Sequence, residues 1–245
     1  MIDLHCHLDL YKNPISLLTE VKQRCKYVLV VTTSPRAWQK TKQVFSVVDC
    51  IKVAIGLHPE ILALKLNEID LLLSNISQCD FIGEVGIDGS EQYKNYSQKQ
   101  KDLFREVVRT AEKCGGRIIS IHSRNAVKDV LDIIESEKNK SIPILHWFSG
   151  TIKELERAIK MGCWFSVNLM MLSGNKGRVL TSKMPLSKIL PETDSPFTKR
   201  HGVIYMPWEA MNIVNTLKDI YHLNTEKLNN KLFTNFKQLI GETYE

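Results

Sequence analysis

The sequence predicts an α/β protein folded as a single closed (β/α)8 barrel, a TIM barrel with extra C-terminal helices. Three observations carry this expectation. Eight short apolar runs rich in Ile, Val and Leu recur along the 245 residues, at Ile2–Leu4, Tyr27–Thr33, Ile51–Leu57, Phe81–Ile87, Arg117–Ile121, Ile142–Leu145, Cys163–Val167 and Lys188–Leu190. Such continuous apolar runs are what strands buried on both faces require. Helical patterns fill the gaps between them, and strand–helix alternation with short connections demands a parallel sheet. Eight such units in a chain of about 250 residues match a closed barrel. A doubly wound open sheet is the runner-up, but it needs a Gly-rich phosphate turn after an early strand, and none is present.

The elements follow in order. The segment 98–114 sets Leu103, Val107, Ala111 and Cys114 on one face and stops at Gly115-Gly116. The segment 151–161 puts Ile152, Leu155 and Ile159 on one stripe before Gly162. Beyond the eighth strand, helices are predicted near 208–221 and 225–240. No linker, low-complexity tract or charge block divides the chain, so one domain is expected over residues 1–245. Lys and Arg number 33 against 27 Asp and Glu, a net charge of 33 − 27 = +6, which permits an acidic partner without establishing one. No apolar run approaches the ~18 residues of a membrane helix. The N-terminus lacks a secretory pattern, so the expected location is cytoplasmic. Six scattered cysteines without a CxxC pair read as buried thiols.

Chemistry in such a barrel sits where strands run into the loops at their C-terminal ends. Five of the seven histidines fall there: His5 and His7 on the first strand, His58 after the third, His122 after the fifth and His146 after the sixth. Glu84 lies inside the fourth strand and Asp194 follows the eighth. His5 and His7 share one face of their strand while Cys6 points the other way, so the two imidazoles can grip one divalent ion; a pair of satisfied polar histidines is the plainer alternative. Asp3 has the same parity and is placed to accept a ligand histidine's second N–H. A carboxylate inside an apolar strand, as Glu84 is, is costly unless paired or bound to metal, and its two oxygens can bridge two ions. Gly83 and Gly86 leave room around it. Asp88, at the exit of that strand, reads as a solvated group or a helix cap. His122 and His146 together supply two nitrogens to a second ion, and Asp194 can touch a metal and the water it activates. Four histidines and two carboxylates suit two divalent ions, with zinc, manganese and magnesium left open.

At these residues the chain resembles the TatD family of metal-dependent deoxyribonucleases, within the amidohydrolase-like barrels. The matching motifs are Asp3-Leu-His-Cys-His-Leu-Asp9, Gly56-Leu-His-Pro59, Gly83-Glu-Val-Gly-Ile-Asp88, Ile121-His-Ser-Arg124, His146-Trp-Phe-Ser-Gly150, Glu192-Thr-Asp-Ser-Pro196 and the closing Asn235-Phe-Lys-Gln-Leu-Ile-Gly241. The resemblance implies that His5, His7 and Asp194 hold one metal and His122 and His146 the other. Glu84 would bridge them, Asp194 would orient or deprotonate the attacking water, and His58 and Arg124 would lie near the phosphate. It implies a two-metal hydrolase of DNA, single-stranded and attacked from a 3′ end. Where many family members carry a Gly-Lys-Arg-Asn-Glu-Pro-like tract, this chain has His201-Gly-Val-Ile-Tyr-Met-Pro207 followed by Trp208-Glu209, which leaves substrate handling open. The stretches Leu8-Asp-Leu-Tyr11, Thr32-Thr-Ser-Pro-Arg-Ala-Trp38, Gly89-Ser90 and Cys163-Trp-Phe-Ser-Val167 are similar to a narrower branch, QatD of the bacterial Qat anti-phage defence systems, which implies co-encoded partner proteins.

Lys12, Arg36, Arg124, Lys176, Arg178, Lys199 and Arg200 follow strands and predict a positive rim suited to a phosphate backbone. Tyr11, Tyr93, Trp147, Phe148, Phe197, Tyr205 and Trp208 lie among them as platforms for unstacked bases. Half of these rings are expected to be packing groups, Phe148 and Phe197 foremost. Two alternatives stay open: a metal-dependent ester or amide hydrolase such as a D-aminoacyl-tRNA deacylase, and a binding or scaffold subunit of a defence complex.

Overall fold

The computed structural model describes residues 1–137 and 140–241. Each of the eight apolar runs forms a strand: β1 (Ile2–Cys6), β2 (Tyr27–Val31), β3 (Ile51–Ala54), β4 (Phe81–Gly86), β5 (Ile118–His122), β6 (Ile142–His146), β7 (Trp164–Val167) and β8 (Ile189–Pro191). All neighbouring pairs within the ladders β1-β2-β3 and β4-β5-β6-β7-β8 are parallel. The two arcs join into a barrel. On one side Ile55 bridges Ile82, with Gly83 N donating to Ile55 O at 2.8 Å. On the other, Asp194 N donates to His5 O at 2.9 Å and His7 N to Ser195 O at 2.8 Å. The eighth strand thus returns to the first.

The helices are α1 (Leu18–Arg24), α2 (Pro35–Phe45), α3 (Ile69–Asn75), α4 (Ser97–Lys113), α5 (Val127–Glu137), α6 (Ile152–Lys160), α7 (Leu169–Ser173), α8 (Asn175–Lys183), α9 (Val214–Tyr221) and α10 (Thr225–Gly241). Their ends follow local chemistry. Ser34 caps α2 by accepting from Ala37 N, with Pro35 in the first turn. A reciprocal pair starts α6, Thr151 Oγ1 accepting Glu154 N and Glu154 Oε2 accepting Thr151 N at 2.7 Å. After α4, Gly115 and Gly116 adopt φ of +86° and +97°. The helix expected near 208–221 is divided into a 3-10 segment, Pro207–Ile213, and α9. Between β8 and that segment lies a small antiparallel hairpin, β9 (Lys199–Arg200) and β10 (Val203–Ile204). No helix among the described residues is long and apolar enough to cross a membrane.

Alternation along the strands separates three apolar clusters and a polar layer; the smallest sets Cys6, Val28, Val30 and Ile51 against Val21 and Phe45. Ile119, Ile121, Leu145, Phe165 and Ile189 join the helices in the largest cluster. Leu29, Ala54, Phe81, Ile118, Ile144, Trp164 and Leu190 join Phe236 and Leu239 of α10 in a second. The α10 helix covers the strands' N-terminal ends: the Tyr27 and Phe236 rings lie 4.7 Å apart, and Asn235 Nδ2 donates to the carbonyls of Leu186 and Ile189. Each fully buried side chain of this size contributes about 1.5–3 kcal/mol. Toward the opposite end the same strands bury Asp3, His5, Glu84, Ser120, His122, His146, Ser166, Glu192 and Asp194. All six cysteines are free thiols, four of them buried.

The glycines of β4 serve neighbouring chain segments rather than the Glu84 side chain. A Cβ on Gly86, whose φ is +139°, would stand 2.1 Å from His122 O. Gly86→Ala is therefore expected to lower stability by about 2–4 kcal/mol in urea unfolding, and a loss under about 1 kcal/mol would show that β4 and β5 separate cheaply.

Candidate active site

Glu84 is 1% exposed and stands at the centre of the polar layer. Its two oxygens face different imidazoles. Oε2 lies 3.0 Å from His7 Nε2 and 3.4 Å from His5 Nε2. Oε1 lies 2.8 Å from His122 Nδ1, 2.9 Å from His146 Nε2 and 3.1 Å from His58 Nε2. Asp194 Oδ1 completes the first side at 3.6 Å from His5 and 3.8 Å from His7. Asp194 holds φ at +53°, uncommon for a residue with a side chain and typical of functional sites. The six residues predicted as metal ligands are thus gathered together, the other five around Glu84, and His58 belongs with them.

Supports behind this ring fix its orientation. Ser120 Oγ lies 2.7 Å from His5 Nδ1. Asp88 Oδ2 lies 2.8 Å from His122 Nε2, and its other oxygen accepts Ser90 N at 2.8 Å. Glu192 accepts Asn168 Nδ2 at 2.8 Å, Trp147 N at 3.2 Å and the Ser166 hydroxyl, and sits 3.9 Å from His146 Nδ1. The His146 ring stacks on that of His5 at 4.0 Å.

Three sequence expectations are corrected here. Asp88 is neither solvated nor a helix cap: it is 1% exposed and engages His122. Asp3 does not serve an imidazole. It accepts His5 N, Thr193 N and Thr193 Oγ1, tying β1 to β8, while Ser120 supports His5. Of the seven rings, half were expected to pack, and Tyr11, Tyr205 and Trp208 do, Tyr11 donating to Tyr205 O at 2.6 Å and Trp208 lying under the Arg24 guanidinium. Phe148 is buried as expected, but Phe197 is 60% exposed instead of packed. The supports Ser120 and Glu192 were legible in principle, since each lies two positions from a site residue, His122 and Asp194.

Burial and charge set the protonation of the ring. Burial disfavours the Glu84 anion, but His58, His146 and His122 outweigh it and hold the carboxyl well below its usual range. Burial likewise disfavours imidazolium at His146, His7 and His122. Their carboxylate partners prevail, and all three are raised, His146 well above the ordinary value. Burial, aided by His146, pushes His5 down to about 4, so it is neutral at pH 7. Burial raises Asp194 to about 7.

His5 tests whether this donor set fits metal. Its buried Nε2 forms no hydrogen bond, although it points toward two carboxylate oxygens. In the tautomer that donates Nδ1–H to Ser120, a lone pair faces two carboxylate groups, an unfavourable contact that a cation between them relieves. Groups within ligating reach are His5, His7 and Glu84; His5, His146 and Glu192; His58, Glu84 and His122; and Glu60, Asp88 and His122. Imidazole and carboxylate are the donors that first-row divalent ions take.

A cavity of about 830 Å³ opens above the ring, its wall including Leu10, His58, Glu60, Arg124, Trp147 and Phe197. Arg124 stands at this wall with its side chain 64% exposed, 4.0 Å from Glu60. His58 makes two polar contacts, its Nδ1 accepting Glu60 N at 3.1 Å and its Nε2 reaching Glu84. Of the basic residues predicted for the rim, Lys176 and Arg178 donate to the carbonyls of Ser149 and Leu172. Cys6 faces away from the site, as strand parity requires, its thiol raised by burial.

Fold and site together define a (β/α)8 barrel with a candidate histidine–carboxylate metal centre at its C-terminal mouth. More narrowly, the chain belongs to the TatD-related DNase family, whose sequence model matches residues 2–241. It is 28% identical to an uncharacterised metal-dependent hydrolase of Buchnera aphidicola, covering 98% of this chain and 99% of that protein. To the human deoxyribonuclease TATDN3 it is 25% identical, covering 80% and 78%. Among solved structures it superposes on YjjV, a TatD homologue from Escherichia coli, with a TM-score of 0.87 at 21% identity, covering 98% and 97%. An uncharacterised amidohydrolase from Saccharomyces cerevisiae gives 0.79 at 15% identity, covering 97% and 99%. The chain is a metal-dependent hydrolase of the TatD type.

Proposed function

We propose that residues 1–245 form one catalytic unit that hydrolyses phosphodiester bonds of DNA, acting on single strands from a 3′ end. The observation that carries this reading is the division of imidazoles by Glu84, with His5 and His7 facing one oxygen and His58, His122 and His146 facing the other. Such a division suits two divalent ions: His5, His7 and Asp194 would hold one, His122 and His146 the other, and Glu84 would bridge them. When bound, ions of this kind polarise phosphoryl oxygens and ease the deprotonation of water.

The protein's own groups do the rest. Asp194 would take up, at its carboxylate, the proton that the attacking water loses. Asp88 keeps the His122 ring in register. His58 and the exposed Arg124 stand where a phosphate would enter. The cavity lies within the usual ~300–1,000 Å³ of small-ligand sites, enough for a nucleotide at a strand end. The stretches similar to QatD favour a role in an anti-phage defence system, in the cytoplasm beside co-encoded partners.

The test is a single-turnover assay on end-labelled single-stranded DNA, with chelated protein resupplied with magnesium, manganese or zinc. Metal-dependent release of 3′-terminal nucleotides is expected, and none from Asp194→Asn. Turnover confined to ester, amide or D-aminoacyl-tRNA substrates would overturn the reading. So would undiminished DNA cleavage by Asp194→Asn. Unaltered biological function of that variant beside a co-purifying partner would favour a scaffold role.

A further inference from the structure

Among the described residues, Phe197 is the only exposed Phe, Tyr or Trp, 60% of its surface being in water. It is not a stray surface group. The ring stands edge-on to His7, 5.1 Å away at 82°, and borders the same cavity as Glu84 and Asp194. The chain on both sides of it is pinned. Phe197 N donates to Asp194 O at 3.1 Å, Ser195 Oγ and Thr198 Oγ1 lie 3.0 Å apart, and Thr198 Oγ1 donates to Thr193 O at 2.6 Å. Two residues further on, β9 carries Lys199 and Arg200, both exposed.

An apolar ring fixed beside the site and followed at once by two cations complements a planar group joined to an anion. We infer that Phe197 stacks on an unpaired nucleobase next to the scissile phosphate, while Lys199 and Arg200 take the adjoining phosphate. The inference rests on the phosphodiesterase reading above and names the residue that makes the site prefer unpaired ends. A base inside a duplex has both faces covered by its neighbours and cannot offer one to Phe197, whereas an unstacked base can.

The test uses full-length protein with manganese supplied, and Phe197→Ala, Phe197→Leu and Phe197→Trp. The substrates are a single-stranded oligonucleotide and the same strand with base-free tetrahydrofuran residues at its ends. On the normal strand, Phe197→Ala should raise KM by about tenfold to a hundredfold with kcat little changed. Phe197→Trp should restore KM, and Phe197→Leu, apolar but without a ring, should not. Base-free ends should weaken wild type to the level of Phe197→Ala and leave that variant unaffected.

Equal discrimination between the two strands by wild type and Phe197→Ala would overturn the inference while leaving the phosphodiesterase reading intact. An equal loss on both strands would also overturn it, because the ring would then be supporting the fold or covering a protein contact. Failure of wild type to cleave either strand would remove the phosphodiesterase reading, and the inference with it.

Discussion

Glu84→Gln is expected to reduce hydrolysis by about three powers of ten or more, the several kcal/mol that paired cations contribute to such a transition state. Glutamine keeps the shape of the side chain, but only one of its two terminal atoms can act as a donor to metal. Metal analysis should therefore find fewer than two ions per chain. The fold should survive at pH 8. Removing one partner of a buried ion pair is severe when the other charge cannot leave, as with arginine. Here the partners are imidazoles, and His7, His122 and His146 can release their protons once the anion that raised them is gone. The variant should accordingly lose more stability at pH 6 than at pH 8. Cleavage at the wild-type rate, with two ions still bound, would remove Glu84 from the centre of the chemistry.

The eight strands could be read from the sequence because each is an uninterrupted apolar run, and a parallel barrel buries both faces of every strand. The ligand set was legible for the converse reason: a histidine or glutamate in such a run is costly unless something pays for it. What was misread depends on where chain ends and loops meet. Asp3 has the parity of His5, yet the seam between β1 and β8 brings Thr193 to it first. Asp88 looks like any strand-exit aspartate until β5 places His122 against it. The loop rings carried no periodicity that could say which way they faced. Trp208 therefore turns under α1 against Arg24, while Phe197 stays in water.

Divalent metal should raise the melting temperature, and by more at pH 8 than at pH 6. In metal-free protein His7, His122 and His146 have folded-state pKa values above the usual 6.5. The stability they contribute is complete below the unfolded value and is lost as pH rises through the folded ones. Asp194, raised to about 7, acts in the same direction, since between its ordinary range and that value the folded chain keeps a proton the unfolded chain has shed. Buried Asp3, raised well above its ordinary range, adds to the trend. His5, lowered to about 4, opposes it: the unfolded residue takes a proton below 6.5 that the folded one refuses. The three raised imidazoles and two raised carboxyls outnumber His5, so chelated protein should melt lower at pH 8 than at pH 6. Glu84, Asp88 and Glu192 are all depressed and titrate in acid, outside this window. Metal works against this trend because it binds neutral imidazole and ionised carboxylate, and fewer protons remain to be displaced at pH 8 than at pH 6. With metal at a hundred times its dissociation constant the gain is about 2.7 kcal/mol. For a chain of this size that is roughly 5–10 °C, readable by scanning calorimetry with and without chelator. Equal increments at both pH values would show that ligation displaces no protons from these histidines, and no increment at either would mean that the cluster does not hold metal.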